Sequence, residues 1–325
     1  MKCIKIFSIT VVLSGLTIIS SAQTLQDVVD ARNKGSELMA AKDYDGAIAE
    51  LEKCVELAKK VGGDDAEDHQ IVAESALPDL YLKKAKNFSD AKDYQGALKA
   101  LEATIVAAEK YKNADIKEKA EKAISPIYYT MGAADYSAKN YAEAIKNMDL
   151  AIARDQGMTN AYFIKGVCYE SLRDEQNMVE TYKKTIEVAN AKGDASTAQK
   201  AQTQLTRFYF NAGVTAQKAQ KWDDAIAAFS KTVEFDNTNA DAFYSLAACY
   251  NSKKSWDNAI SSAEKALELR SAGDGKNLDG IYYQLGTAYA GKNNQAKACE
   301  NFKKVGEGTF LAGAKYQIEH ALKCQ

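Results

Sequence analysis

Proline is almost missing from this chain. It occurs only at Pro78 and Pro126, and strand-type runs of Val, Ile and Thr stop after residue 25. Proline breaks helix interiors, so its scarcity, together with the missing strand signal, leaves an almost wholly helical protein. Histidine is as sparse. His69 and His320 stand alone, outside any HExxH pattern, and no GxSxG, P-loop or GxGxxG stretch occurs. With no catalytic constellation, we expect a non-enzymatic protein with no cofactor and no metal. The segment "SAGDGKNLDG", residues 271–280, carries Asp274, Asn277 and Asp279. It lacks the spacing and the closing Glu of a calcium loop and reads as a polar turn. The acidic "DDAED" reads as favourable charge at a helix start.

The first residues differ from the rest. Lys2 and Lys5 lead into the apolar run "IFSITVVLSGLTIIS", residues 6–20, followed by "SSAQ". This is the pattern of a secretory signal peptide, residues 1–22, cut after Ala22. As a helix the run would rise only about 22 Å, short of the roughly 30 Å hydrocarbon core, which favours cleavage over an anchor. No later segment could span a membrane. The expected location is outside the cytoplasm, periplasmic or secreted, with the cell envelope as its setting. Cleavage takes the net charge from −2 to −4, which gives no electrostatic case for nucleic acid. Cys3 precedes the apolar run, so the usual lipoprotein attachment is not indicated. The other five cysteines form neither a disulfide framework nor a zinc pattern. Cys299 and Cys324 are the pair to test as a disulfide, because Cys324 sits at a chain end. Cys54, Cys168 and Cys249 read as small buried apolar residues.

What fills the chain is one pattern written seven times. Aligned on Ala47, Ala97, Ala144, Met178, Ala225, Ala259 and Ala298, a small residue lies twelve positions earlier: Gly35, Ala85, Gly132, Gly166, Gly213, Ala247 and Gly286. Three positions before the anchor stand Tyr44, Tyr94, Tyr141, Glu175, Trp222, Trp256 and Gln295, and four after it Leu51, Leu101, Met148, Tyr182, Phe229, Ala263 and Phe302. Small residues let two helices approach to roughly 8–10 Å, the aromatic opens the second helix, and the large residue after the anchor faces inward. Just before the aromatic column lie Asp43, Asp93, Asn140, Asp174, Lys221, Ser255 and Asn294, six of them good N-cap types. Each copy therefore reads as helix, short turn, capped helix.

In these columns the chain resembles the tetratricopeptide repeat (TPR) family, most clearly in "LGTAYAGKNNQAKACENFKKV" and "AGVTAQKAQKWDDAIAAF". The resemblance covers about residues 28–306; copy four departs most, with Glu175 and Met178 at two signature positions. It implies an all-α, right-handed solenoid of about seven helix-turn-helix repeats, near 28–61, 78–111, 125–158, 159–192, 206–239, 240–273 and 279–306. A capping helix is expected at about 309–323, with Leu311, Ala314, Ile318, Ala321 and Leu322 on one face. The anchors step by 50, 47, 34, 47, 34 and 39 residues. The longer steps carry turn signals followed by helix-forming sequence, which predicts lengthened helices rather than loops. Pro78 and Pro126 should kink or break two of them.

The resemblance also implies a concave groove lined by the first helices. Three residues before the small column lie Arg32, Leu82, Tyr129, Phe163, Phe210, Tyr244 and Tyr283; one residue after it lie Ser36, Lys86, Ala133, Val167, Val214, Ala248 and Thr287. The partner-binding candidates are thus Tyr129, Phe163, Phe210, Tyr244, Tyr283, Ala133, Val167 and Val214, with Arg32 and Lys86 making the early copies basic. Part of the aromatic series could equally pack neighbouring helices. The family's chaperone-binding members hold a C-terminal carboxylate with Lys and Asn; here those first-copy positions are Arg32 and Ser36 and the Asn columns are missing. The leading expectation is a scaffold for a protein or peptide partner, of unassigned oligomeric state. The alternative is a small-ligand or glycan binder using the same rings.

Overall fold

The computed structural model describes residues 23–273 and 278–325. The signal-peptide expectation, and Asp274 and Asn277 of the polar turn, lie outside the described residues. Among those described there are only helices and connecting turns. Two compact units divide within one helix, after Ile127. Unit 1 holds α1 (Leu25–Ala40), α2 (Tyr44–Val61), α3 (Asp64–Asp90), α4 (Tyr94–Lys110) and the first half of α5 (Ala114–Ser137). Unit 2 holds the rest of α5, then α6 (Tyr141–Arg154), α7 (Thr159–Leu172), α8 (Glu175–Lys192), α9 (Ala195–Lys218), α10 (Trp222–Phe235), α11 (Ala240–Ser252), α12 (Trp256–Ala272), α13 (Leu278–Gly291), α14 (Gln295–Lys303) and α15 (Leu311–Tyr316). The helices pair as seven hairpins, one per sequence copy.

Each hairpin closes on the same close approach. A Cβ added at Gly166, Gly213 or Gly286 would lie 2.6–2.7 Å from the ring of Tyr182, Phe229 or Phe302, and at Gly35 2.7 Å from Leu51. Each glycine thus receives the side chain sixteen residues on against bare backbone. In the sixth copy the partner is Ala263 and a methyl is allowed, at Ala247; both are fully buried. The alanine anchors Ala47, Ala97, Ala144, Ala225, Ala259 and Ala298 are all at 0% exposure.

The hairpin turn recurs as closely. The residue before the N-cap is left-handed in all seven copies: Lys42, Lys92, Lys139, Arg173, Gln220, Lys254 and Asn293, φ 57–63°. None is glycine, the usual occupant of this conformation. The next amide returns to the first helix, as in Asp43 N to Leu38 O at 2.9 Å and Asn294 N to Tyr289 O at 2.9 Å. One residue thereby ends one helix with its backbone and starts the next with its side chain. Asp43, Asp93, Asp174 and Asn294 accept a bond from the new helix. Asn140 and Ser255, expected to cap, make no side-chain cap bond. There the turn keeps the same backbone bonds, with Asn258 Nδ2 donating to Ser255 Oγ at 3.1 Å in the second case.

The lengthened segments are helices, as expected: α3, α5 and α9 run for 27, 24 and 24 residues. The expected break at the prolines does not occur. α3 and α5 continue through Pro78 and Pro126, and Pro78 is buried in its helix. The C-terminal cap is less regular than a single helix. α15 has six residues and passes into a π-helical turn, Gln317–Ala321. Ala314, Ile318 and Leu322 cover Ala298 and Phe302, while Ala321 is exposed. A Cys299–Cys324 disulfide, Cα–Cα 5.7 Å, fastens this segment to α14. Cys54, Cys168 and Cys249 are buried and free, and burial pushes the Cys168 and Cys249 thiols up to about 11, so these thiols are inert near neutrality.

Two outcomes follow for stability. Gly213→Ala should cost about 1–3 kcal/mol by urea unfolding. Adding Phe229→Leu, which recreates the Ala85–Leu101 pairing of copy two, should cost less than the two single changes summed. Reducing the disulfide, or Cys324→Ser, should cost about 3–4 kcal/mol for a loop closed over a separation of 25 residues. Hydrogen exchange should then rise in α14 and in residues 311–322.

Candidate functional site

The first helix of each hairpin offers the candidate surface. First helices touch one another, α1 with α3, α7 with α9 and α11 with α13, so each of these neighbours presents one shared face. In unit 2 the first helices carry Tyr129, Phe163, Phe210, Tyr244 and Tyr283, one ring per hairpin. All five are half-buried, as are Ala133, Val167 and Val214 beside them.

The rings have a structural task as well. Phe163 leans on Tyr182 at 5.9 Å, Phe210 on Phe229 at 5.6 Å edge-on, and Tyr283 on Phe302 at 5.5 Å edge-on. These are the side chains that fill the glycine notches, so one side of each ring belongs to its hairpin core. Tyr129 packs with Met148, Ala151 and Ala161, and Tyr244 with Ala247, Ala263 and Ile281. The series is therefore anchored and partly exposed rather than free.

Polar groups along the row are occupied within their own helices. Ser137 donates to Ala133 O at 2.9 Å, Ser171 to Val167 O at 2.9 Å, Ser252 to Ala248 O at 3.1 Å and Thr287 to Tyr283 O at 2.8 Å. None of the eight candidate residues in unit 2 carries a formal charge. The surface they make is apolar with few hydrogen-bonding groups left to offer.

Charge enters at two places: Arg207, three residues before Phe210, pairs with Glu170, and a second pair lies beside Tyr244. That ring lines a cavity of about 400 Å3 with Asp241, Arg270, Asp279, Gly280 and Phe310. Arg270 and Asp241 form an ion pair, and Asp279 accepts a bond from the Gly306 amide. Burial raises the Tyr244 hydroxyl above its usual range, against a hydrogen bond with Gln284. Gln284 in turn accepts from Asn251 Nδ2 at 2.8 Å. The repeat columns did not mark this cavity, because Asp241 and Arg270 lie at helix ends 29 residues apart.

Arg32 and Lys86 belong to unit 1. Arg32, on α1, is half-buried; its terminal nitrogen donates to Asn33 Oδ1 at 2.9 Å, and its Nε is buried without a partner. Its charge acts to lower the Cys54 thiol, but burial prevails and the thiol is raised. Lys86, on α3, is exposed. The two are surface and half-buried cations on neighbouring helices, and nothing in unit 1 joins them into a clamp.

Because the rings share the cores, Phe210→Ser should cost about 2 kcal/mol in stability, below the 3–5 kcal/mol of a fully buried phenylalanine. Urea unfolding checks this, with circular dichroism expected to show unchanged helicity below the transition.

Residues 210–274 match one tetratricopeptide repeat model, and residues 33–61, 159–192 and 280–305 match a second. No curated protein matches the chain significantly. Among solved structures, the crystal structure of MamA is 20% identical and covers 60% of this chain and 94% of its own, with a TM-score of 0.31. YrrB, described as a TPR protein with an unusual peptide-binding site, is 21% identical over 64% of this chain and 92% of its own, TM-score 0.29. The TPR domain of P58(IPK) is 13% identical over 92% of this chain and 80% of its own, TM-score 0.33. The repeated glycine notch, the repeated left-handed turn and the matched stretches together show that the chain belongs to the tetratricopeptide-repeat family.

Proposed function

We propose that this protein is a non-enzymatic adaptor that holds an apolar stretch of a protein partner on the first-helix face of unit 2. The observation that carries the reading is the uncharged row itself: five anchored, half-exposed rings flanked by Ala133, Val167 and Val214. Rings held by their own cores lose little freedom on binding. If each buries about 100 Å2, the gross gain is on the order of 12 kcal/mol, against an association cost of about 4–15 kcal/mol. The expected affinity is millimolar to micromolar. A glycan on the same row is less well served, since the serines and threonine beside the rings already give their hydroxyls to backbone carbonyls.

The adaptor works outside the cytoplasm, periplasmic or secreted, in the organisation of the envelope; the supporting feature is the sequence of residues 1–22. In the exported chain, mass spectrometry should find an N-terminus at Gln23. Retention of residues 1–22 would count against export by this route.

Truncating the rings tests binding poorly, because it also weakens the hairpins. Val167→Glu with Val214→Glu is the better probe, placing charge on the row while leaving the rings in place. Peptides selected from a random displayed library should be rich in apolar residues and bind at least tenfold more weakly to the double variant, compared at a temperature where circular dichroism shows both proteins folded, since both valines also pack on their hairpin cores. Peptides that bind wild type and variant alike would remove the row as the site.

A further inference from the structure

α9 carries a second feature that the ring row does not account for. Its added length packs beside the end of α10 and the turn that follows. Between them lies a crevice of about 460 Å3, within the range of ligand pockets, about 300–1,000 Å3. Gln199, Gln202, Thr203 and Thr206 line one wall, and Phe235 and Asn237 are on the other.

The crevice is rich in hydrogen-bonding groups and holds no cation. No lysine, arginine or histidine lines it, so it offers nothing to a phosphate or a carboxylate. Its two acids are engaged. Glu234 is paired with Lys231 at 2.6 Å, and Asp236 accepts from the Thr238 amide and hydroxyl at 3.0 and 2.7 Å. Gln202 donates to Phe235 O, which leaves its amide oxygen as an acceptor. The Phe235 ring is held flat against Tyr209, centroids 5.8 Å apart and 5° from parallel.

One atom stands out. Mid-helix threonines here normally give their hydroxyl to the carbonyl four residues back: Thr203 to Gln199, Thr215 to Asn211 and Thr232 to Ala228. Thr206 does not. Its Oγ1 is buried and has no hydrogen-bond partner. A buried hydroxyl left unpaired is costly, and a turn of the Thr206 side chain toward the crevice would let a bound hydroxyl pair with it.

We propose that this crevice is a carbohydrate-binding site. Amides and hydroxyls that donate and accept, carboxylates that accept, and an aromatic ring fixed in place together suit a neutral polyol, and the lining offers no cation to an anionic ligand. The site is distinct from the apolar row and does not depend on it.

The test uses the chain from Gln23 with cellobiose, maltose and N,N′-diacetylchitobiose as probes, by saturation-transfer NMR and titration to tens of millimolar. At least one should bind wild type saturably. Gln199→Ala with Asn237→Ala should weaken it at least tenfold. Thr206→Val should weaken it and raise the melting temperature, because the unpaired hydroxyl goes. Gln204→Leu removes another buried unpaired acceptor that does not line the crevice, so it should leave binding unchanged. Val167→Glu with Val214→Glu should also leave it unchanged. No saturable binding by any of the three sugars, or binding that survives the Gln199/Asn237 change, would overturn the proposal.

Discussion

The structure depends on one contact made again and again: a large side chain laid directly on helix backbone. Tyr182, Phe229 and Phe302 reach positions that a single added carbon would occupy. All three are essentially fully buried. The contact sets how close the two helices of a hairpin lie, and the alanine anchors beside it keep that distance. In copy six the large residue shrinks to Ala263 and the small position is Ala247, and in copy two Leu101 stands opposite Ala85, whereas every ring in this column meets a glycine.

The turn is the second constraint, and it economises on residues. A single N-cap position closes the helix before it and opens the helix after it, and a left-handed residue just ahead makes the reversal possible. Lysine or arginine fills that left-handed position in five of the seven copies, although such residues carry a conformational cost there. The two backbone bonds of the closure offset that cost. They also explain why the turns at Asn140 and Ser255 keep their form without a side-chain cap.

Function follows from what the hairpins leave over. The rings of the first helices are held by the same residues that fill the notches, which makes the row rigid and partly exposed at once. The lengthened α9 adds a different surface, polar and without a lining cation, between its own side and the end of α10. A repeat built for packing thus supplies an apolar strip, and an interruption of its spacing supplies a place for hydrogen bonding.

Much of this was legible in the residues. Gly213, Ala225 and Phe229 recur at fixed offsets because a hairpin with a fixed helix separation needs them there, and local spacing is enough to reveal it. The lengthened α3, α5 and α9 were legible for the same reason, as helix-forming sequence running from each turn signal straight into the next copy. The left-handed column was not, since Lys42 and Arg173 are not residue types that announce positive φ; only the closing backbone bonds impose it. Nor could spacing say that Pro78 would sit inside an unbroken helix, or which side of Phe163 and Tyr283 would be covered, because those depend on what packs against them. Sequence by itself determined the repeat, the helix pairs and the identity of the row. Tertiary structure decided how much of each ring remains exposed and brought Thr206 and Asn237 to one crevice, because burial and convergence are properties of neighbours distant in the chain.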